Sequence, residues 1–175
     1  LFAAAILVFK ANIRLTSLYG IFGIGTLPEY VSIALSIFTV IVIINAFNLI
    51  DGINGLSGGI GLLISLTMGT WFFLIDRLDI AIVAFSLAGS LIAFLKYNVT
   101  PAQIFMGDTG SLLLGLVCSI LAILFIDIHK DLGDHQYAFK SAPTVAIAVM
   151  ILPLFDTLRV FIIRILNGKS PFYPD

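Results

Sequence analysis

Two short stretches bring side chains able to do chemistry into an otherwise apolar chain. NAFNLIDGINGLSGG, residues 45–59, sets Asn45, Asn48, Asp51 and Asn54 at every third position and adds a run of glycines. On a helix, residues three apart are neighbours on one face, so the spacing predicts a polar stripe. At membrane depth such groups are costly and usually face a cavity or one another. Two readings compete: asparagines clamping a neighbouring helix by hydrogen bonds, and the wall of a ligand cleft. Asp51, close to Gly52 and Gly55, favours the cleft, because glycine lets backbone N–H groups come close to a ligand.

The second stretch is IFMGDTGSLLLG, residues 104–115, with Asp108 between Gly107 and Gly110 and an apolar run from 111 onward. Successive N–H groups in such a turn can form an anion nest, and the start of the helix adds a positive dipole end. The competing reading is that Asp108 or Ser111 caps a helix beginning at 111. Two acidic, glycine-flanked loops on one membrane face would suit a metal and a phosphate, Mg²⁺ preferring one or two carboxylates plus substrate oxygens. Phe105 either stacks on a base or anchors the chain at the membrane interface.

A third stretch, PLFDTLRVFIIRILNGKSPFYPD, pairs Asp156 with Arg159 at i, i+3 and sets Arg164 and Lys169 near the interface, as anchors or as phosphate contacts. His129 and His135, the two histidines, are expected in a solvated loop on the other face, without a catalytic role. Cys118, the single cysteine, sits in LLLGLVCSILAILF and is expected only to pack.

Membrane helices must position these groups. Of the 175 residues, 60% are hydrophobic and only 11% charged, against about 25% charged in a typical soluble domain. Mean hydropathy is +1.14. The apolar runs 31–49, 58–75, 80–95, 111–128 and 141–163 approach the length of about 20 residues that a bilayer requires. Period-two alternation is absent, which argues against a membrane β-barrel. The expected fold is therefore all-α: a polytopic transmembrane bundle of about five full spans, with a partial N-terminal one at 1–9. Residues 1–175 read as a single transmembrane domain and as a fragment of a larger membrane protein. By parity, the loops near 51, near 105 and after 164 share one face. Of the nine basic residues, four lie toward the motif face and five toward the other, slightly against the orientation adopted, so orientation rests on the motifs rather than on the positive-inside rule. The net charge of −1 speaks against a nucleic-acid partner.

Taken together, NAFNLIDGINGLSGG, IFMGDTGSLLLG and DTLRVFIIRILNGKSPFYPD resemble the polyprenyl-phosphate N-acetylhexosamine-1-phosphate transferases. The third stretch is more similar to the GlcNAc-1-phosphate branch than to the MurNAc-pentapeptide branch. The resemblance implies transfer of a sugar-1-phosphate from a UDP-N-acetylhexosamine to undecaprenyl phosphate, with release of UMP. It implies Mg²⁺ (Mn²⁺ as a substitute) and a multi-pass protein of the bacterial cytoplasmic (inner) membrane with its catalytic face to the cytoplasm. By the same resemblance, Asp108 and Asn48 are metal-site residues, and Asp51 and Asp108 are catalytic. Asn45, Gly52, Ile53, Asn54 and Phe105 are substrate-binding. Asn54 departs from the family, where Asp is frequent. An acidic pair expected before Leu1 and a histidine cluster expected after Asp175 would lie outside the sequence, so the fragment alone is expected to be inactive. A transporter with a polar site on broken helices is the alternative from another class, and would call for inverted repeats and a midplane site. A purely structural membrane subunit is a third reading, and leaves the acidic loops unexplained.

Overall fold

A computed structural model describes residues 2–139 and 141–168. Its elements are α1 (Phe2–Phe9), a 3₁₀ turn (Ile21–Gly23), α2 (Glu29–Ile50), α3 (Leu56–Leu74), α4 (Leu78–Asn98), α5 (Gly107–His129), α6 (Ala142–Val149) and α7 (Ile151–Leu166). Four of them, α2 to α5, are long and apolar enough to cross a membrane. In lipid a helix satisfies its own backbone groups, which is why the apolar runs adopt this form. The protein is a multi-pass membrane protein with an all-helical bundle.

The fifth span differs from the sequence expectation. Instead of one helix over 141–163, α6 and α7 meet at Met150 with a bend of 72°. Pro153 supplies the physical reason. A continuous helix would need a Pro153 N–H bonded to the Val149 carbonyl, and the proline ring would clash with that carbonyl. The chain breaks there, and Pro153 falls in the first turn of α7, where a missing N–H costs little. The Thr157 hydroxyl donates to the Pro153 carbonyl at 2.8 Å. The paired charge expected at Asp156 and Arg159 is present at 2.9 Å. Lys169 and the rest of 169–175 lie outside the described residues.

α2 runs through the middle of the bundle, against α1, α5 and α7, while α3 packs on α4 and α5. Phe47, Phe72, Ile64, Met68, Leu121 and Ile123 are fully buried. Cys118 is buried among them, a packing residue as expected. Phe38, Phe73, Ile82, Ile92, Leu113, Phe155 and Leu158 stay exposed on the outside of the bundle, as a lipid-facing surface requires. α2 and α5 come close enough at Gly115 for backbone to meet backbone. A Cβ placed on Gly115 would lie 2.7 Å from the Ile44 Cα and 3.2 Å from the Ile43 carbonyl oxygen. Small residues let membrane helices meet this closely, and the contact lies two turns from Asp108 at the start of α5.

The other end of the bundle is tied by polar contacts. Thr16 donates to Asp127 at 2.5 Å, and the Lys130 ammonium reaches Asp127 at 2.9 Å and Thr16 at 2.8 Å. The Tyr19 hydroxyl donates to the Ile126 carbonyl. Burial, and after it the Asp127 and Asp131 carboxylates, push this hydroxyl up to about 12, so it remains a donor at any physiological pH. His129 corrects an expectation. It is the last residue of α5 rather than a loop residue, buried and stacked on Trp71 with ring centroids 4.3 Å apart. Its Nδ1–H donates to the Phe125 carbonyl at 2.6 Å. α5 continues through residue 129, past the end of the apolar run, and keeps the ring inside the bundle. His135 is exposed in the following loop, as expected.

These ends define a topology that labelling can test. In a Cys118→Ser background, Asn54→Cys and Thr109→Cys should react with an impermeant maleimide from one side of the membrane, and His135→Cys from the other. All three native side chains are exposed. Reaction of the 54 and 109 probes from opposite sides would rule out a shared site.

Candidate active site

The first motif straddles a helix end. α2 closes at Ile50 with Asp51 as its C-cap, and the chain reverses through residues 52–55 before α3 begins at Leu56. Gly55 makes the reversal possible: its φ of 77° lies in the left-handed region that glycine enters without a steric penalty. The expected four-residue helical stripe is therefore not formed. Asn45 and Asn48 are on α2, Asp51 is at its end, and Asn54 is on the turn. Asn45 is exposed, and its amide donates back to the Ile41 carbonyl of its own helix at 2.9 Å. Neither a clamp to another helix nor a contact with the acidic pair is formed by it.

The second motif opens α5. The helix starts at Gly107, not at 111, after Met106 as N-cap with no side-chain cap bond. Neither Asp108 nor Ser111 caps the helix, which removes the competing explanation for both. Asp108 is exposed in the first turn, where the exposed helix N–H groups favour an anion. Ser111 is buried, and its hydroxyl donates to the Asp108 backbone carbonyl at 3.2 Å.

The close α2–α5 contact joins the motifs. The Asn48 amide donates to the Asp108 carboxylate at 3.2 Å and to the Ser111 hydroxyl at 3.1 Å, across 60 and 63 residues of sequence. Beside this pair, the Ser57 hydroxyl, buried in the first turn of α3, donates to the Asp51 carboxylate at 2.5 Å. One carboxylate oxygen of Asp51 is thereby held and the other is left to accept. Ser57 Oγ also lies 3.9 Å from the Met106 sulfur. Gly52, Ile53 and Asn54 are exposed on the turn, and Phe105 is 75% exposed on the facing loop. The structure thus brings Asn48 and Asp108 into direct contact and sets Asp51, residues 52–54 and Phe105 at the same end of the bundle. Asn45 stands apart, below Asn48 on α2.

Ser57 and Asn98 were not singled out by sequence, and Ser111 was considered only as a helix cap. Ser57 and Ser111 sat inside motifs already in view, and their spacing from Asp51 and Asp108 was the available signal. Asn98 gave less: a polar residue at the end of an apolar helix usually marks the membrane interface.

Among the described residues, no group of three or more His, Cys, Asp or Glu is placed to hold a metal by itself. The donors at the Asn48–Asp108 contact are a carboxylate, an amide and a hydroxyl, all hard oxygen chemistry. That set suits Mg²⁺ held jointly with substrate phosphates and lacks the His or Cys ligands on which zinc sites are built. The α6–α7 bend is lined by Ala146, Ile147, Met150 and Leu154. Thr39 of α2 is the one polar side chain in the lining, and no charged group of the kind a transporter site on a broken helix would use faces the bend.

Fold and site define a multi-pass helical membrane protein with a polar, acidic, two-loop site at one end of its spans. Residues 1–126 match the model of glycosyl transferase family 4, and the chain belongs to that family. It is 34% identical over 166 residues to the decaprenyl-phosphate N-acetylglucosaminephosphotransferase of Mycolicibacterium smegmatis, covering 87% of this chain and 41% of the relative. It is 28% identical over 179 residues to the undecaprenyl-phosphate alpha-N-acetylglucosaminyl 1-phosphate transferase of Escherichia coli O157:H7, covering 97% and 46%. A shorter match of 43% over 105 residues joins it to the phospho-N-acetylmuramoyl-pentapeptide-transferase of Rubrobacter xylanophilus, covering 60% and 30%. The chain spans less than half the length of these relatives.

Proposed function

We propose that the protein transfers N-acetylhexosamine-1-phosphate, GlcNAc-1-phosphate in the first instance, from a UDP-sugar to undecaprenyl phosphate, initiating a cell-envelope glycan. The observation that carries the reading is the contact of Asn48 with Asp108, two motif residues 60 positions apart, beside a second acidic loop at a helix end. Membership of the family and the names of the relatives support the substrate classes. In the reaction, an oxygen of the lipid phosphate attacks the β-phosphorus of the UDP-sugar. The new P–O bond makes a lipid pyrophosphate sugar, the old pyrophosphate bond breaks, and UMP leaves.

Phosphoryl transfer depends mainly on positioning and on offsetting spread negative charge. Asp108 and Asn48 would hold Mg²⁺, which when bound compensates the pyrophosphate charge and orients it. Gly52, Ile53 and Asn54 offer backbone and side-chain groups to the nucleotide, and Phe105 offers a ring face to the uracil. Asp51, fixed by Ser57, accepts a hydrogen bond from the substrate with its free oxygen. Asn45, exposed on the same helix, is left for the more distant part of the donor or for the lipid. The acceptor is a membrane lipid, so the site must lie at the membrane surface, and the nucleotide donor requires that surface to be the cytoplasmic one of the inner membrane.

The test is UMP release by the purified full-length protein in lipid nanodiscs, with UDP-GlcNAc and undecaprenyl phosphate. Release should require the lipid acceptor, stop with EDTA and return with Mg²⁺. UDP-MurNAc-pentapeptide should be a poor donor. No release from any UDP-N-acetylhexosamine, or release unaffected by EDTA, would overturn the reading.

A further inference from the structure

The two motif loops come from different helix pairs, yet one side chain joins them. Asn98, the last residue of α4, is buried, with 5% of its surface exposed. Its Oδ1 accepts the Gly55 N–H at 2.8 Å. Its Nδ2 donates to the Ile104 carbonyl at 2.9 Å. Gly55 directly follows the exposed 52–54 turn, and Ile104 directly precedes the exposed Phe105. One amide therefore fixes how far the turn stands from the ring. Among the described residues, no other hydrogen bond joins these two backbones. The Ser57–Met106 approach is only a 3.9 Å side-chain contact.

We propose that Asn98 is a positioning residue that sets the gap between the 52–54 turn and Phe105, and through it the grip on the nucleotide part of the donor. This rests on the transfer reading above. The amide is engaged at both ends and buried, so it acts through the two loops. The Asn48–Asp108 contact does not depend on it, because that contact is set by the separate approach of α2 to α5 at Gly115. The loss should therefore be selective. Binding of the nucleotide donor suffers, while the demand for Mg²⁺ and for the lipid acceptor does not.

Two variants of the full-length protein test this. Asn98→Leu keeps the volume and removes both bonds. Asn98→Asp keeps the acceptor for Gly55 N–H but turns a second oxygen toward the Ile104 carbonyl. The KM for UDP-GlcNAc should rise by about 10-fold or more in Asn98→Leu and by less in Asn98→Asp, because reacting groups tolerate little misplacement. The KM for undecaprenyl phosphate and the Mg²⁺ half-saturation should stay within about twofold, the pattern of lost donor binding. A buried amide is also structural, so melting temperature is followed in parallel. If Asn98→Leu fails to fold, the graded shift in Asn98→Asp carries the test. Unchanged donor KM in folded variants overturns the assignment. So does a joint shift of donor KM, acceptor KM and Mg²⁺ demand, which would report general loosening. An inactive wild type would instead overturn the transfer reading, and this assignment with it.

Discussion

Asp108→Asn in the full-length protein should lower UMP release by about 10²-fold or more, the scale on which a directed electrostatic contact to a reacting group acts. Its melting temperature should stay close to that of the wild type. The structure separates the two effects. Asp108 is not the N-cap of α5, so no capping bond is lost with its charge. Its carboxylate accepts from the Asn48 amide at 3.2 Å, and an asparagine carbonyl can accept that bond in its place. The favourable placement of a carboxylate in the first helical turn is lost, a small effect at an exposed position. What disappears is the one full negative charge at the α2–α5 contact, and with it the strongest oxygen ligand available to a cation there. A Mg²⁺ titration belongs in the experiment. Near-wild-type turnover at every concentration would sink the metal assignment. Low turnover with a collapsed melting temperature would show that the carboxylate serves the fold.

The spans were legible because hydropathy reports them directly. The apolar runs predicted α2 to α5 to within a few residues, since membrane insertion allows little freedom to segments of that kind. Errors arose where a local feature overrode the run. Pro153 lay in plain view within PLFDT, yet apolar composition hid the bend that its missing N–H imposes at Met150, three residues earlier. The i, i+3 pattern from Asn45 was extended past the end of α2, although Gly52 and Gly55 already indicated a reversal. His129 reads as a loop residue because a polar residue at the end of an apolar run usually leaves the membrane. The stack on Trp71, 58 residues earlier in the chain, depends on tertiary packing that no local window contains. Parity put the two motifs on one membrane face as a shared site, but the contacts inside that site were not legible. Nothing local in the sequence states that Asn48 meets Asp108 or that Asn98 bridges the loops. Only the approach of the helices decides it.

That approach makes Gly115 a sensitive position outside the polar cluster. A Cβ there would meet the Ile44 Cα at 2.7 Å and the Ile43 and Ile44 carbonyl oxygens at 3.2 and 3.3 Å. These are backbone atoms, so no rotamer change relieves the clash, and α2 must move away from α5. Gly115 is one turn from Ser111, and Ile44 is one turn from Asn48, so the displacement passes straight to the Asn48 bonds. At 3.1 and 3.2 Å those bonds have little reach to spare. Two effects on stability oppose each other in Gly115→Ala. Alanine gains about 1 kcal/mol of helix propensity over glycine, while overpacking costs about 1–3 kcal/mol. Contact with backbone puts the cost toward the upper end, so the melting temperature should fall. Turnover should fall by about 10²-fold, as expected of a displacement near 1 Å at a reacting group. Gly89→Ala on α4 is the control: a Cβ there meets nothing within 4 Å, so it should keep activity and hold or gain stability. Adding Ile44→Ala to Gly115→Ala should rescue neither property, because the clash is with Cα and carbonyl atoms that alanine retains. Wild-type turnover and stability in Gly115→Ala, or full rescue by Ile44→Ala, would show that the two helices are not held together at this glycine.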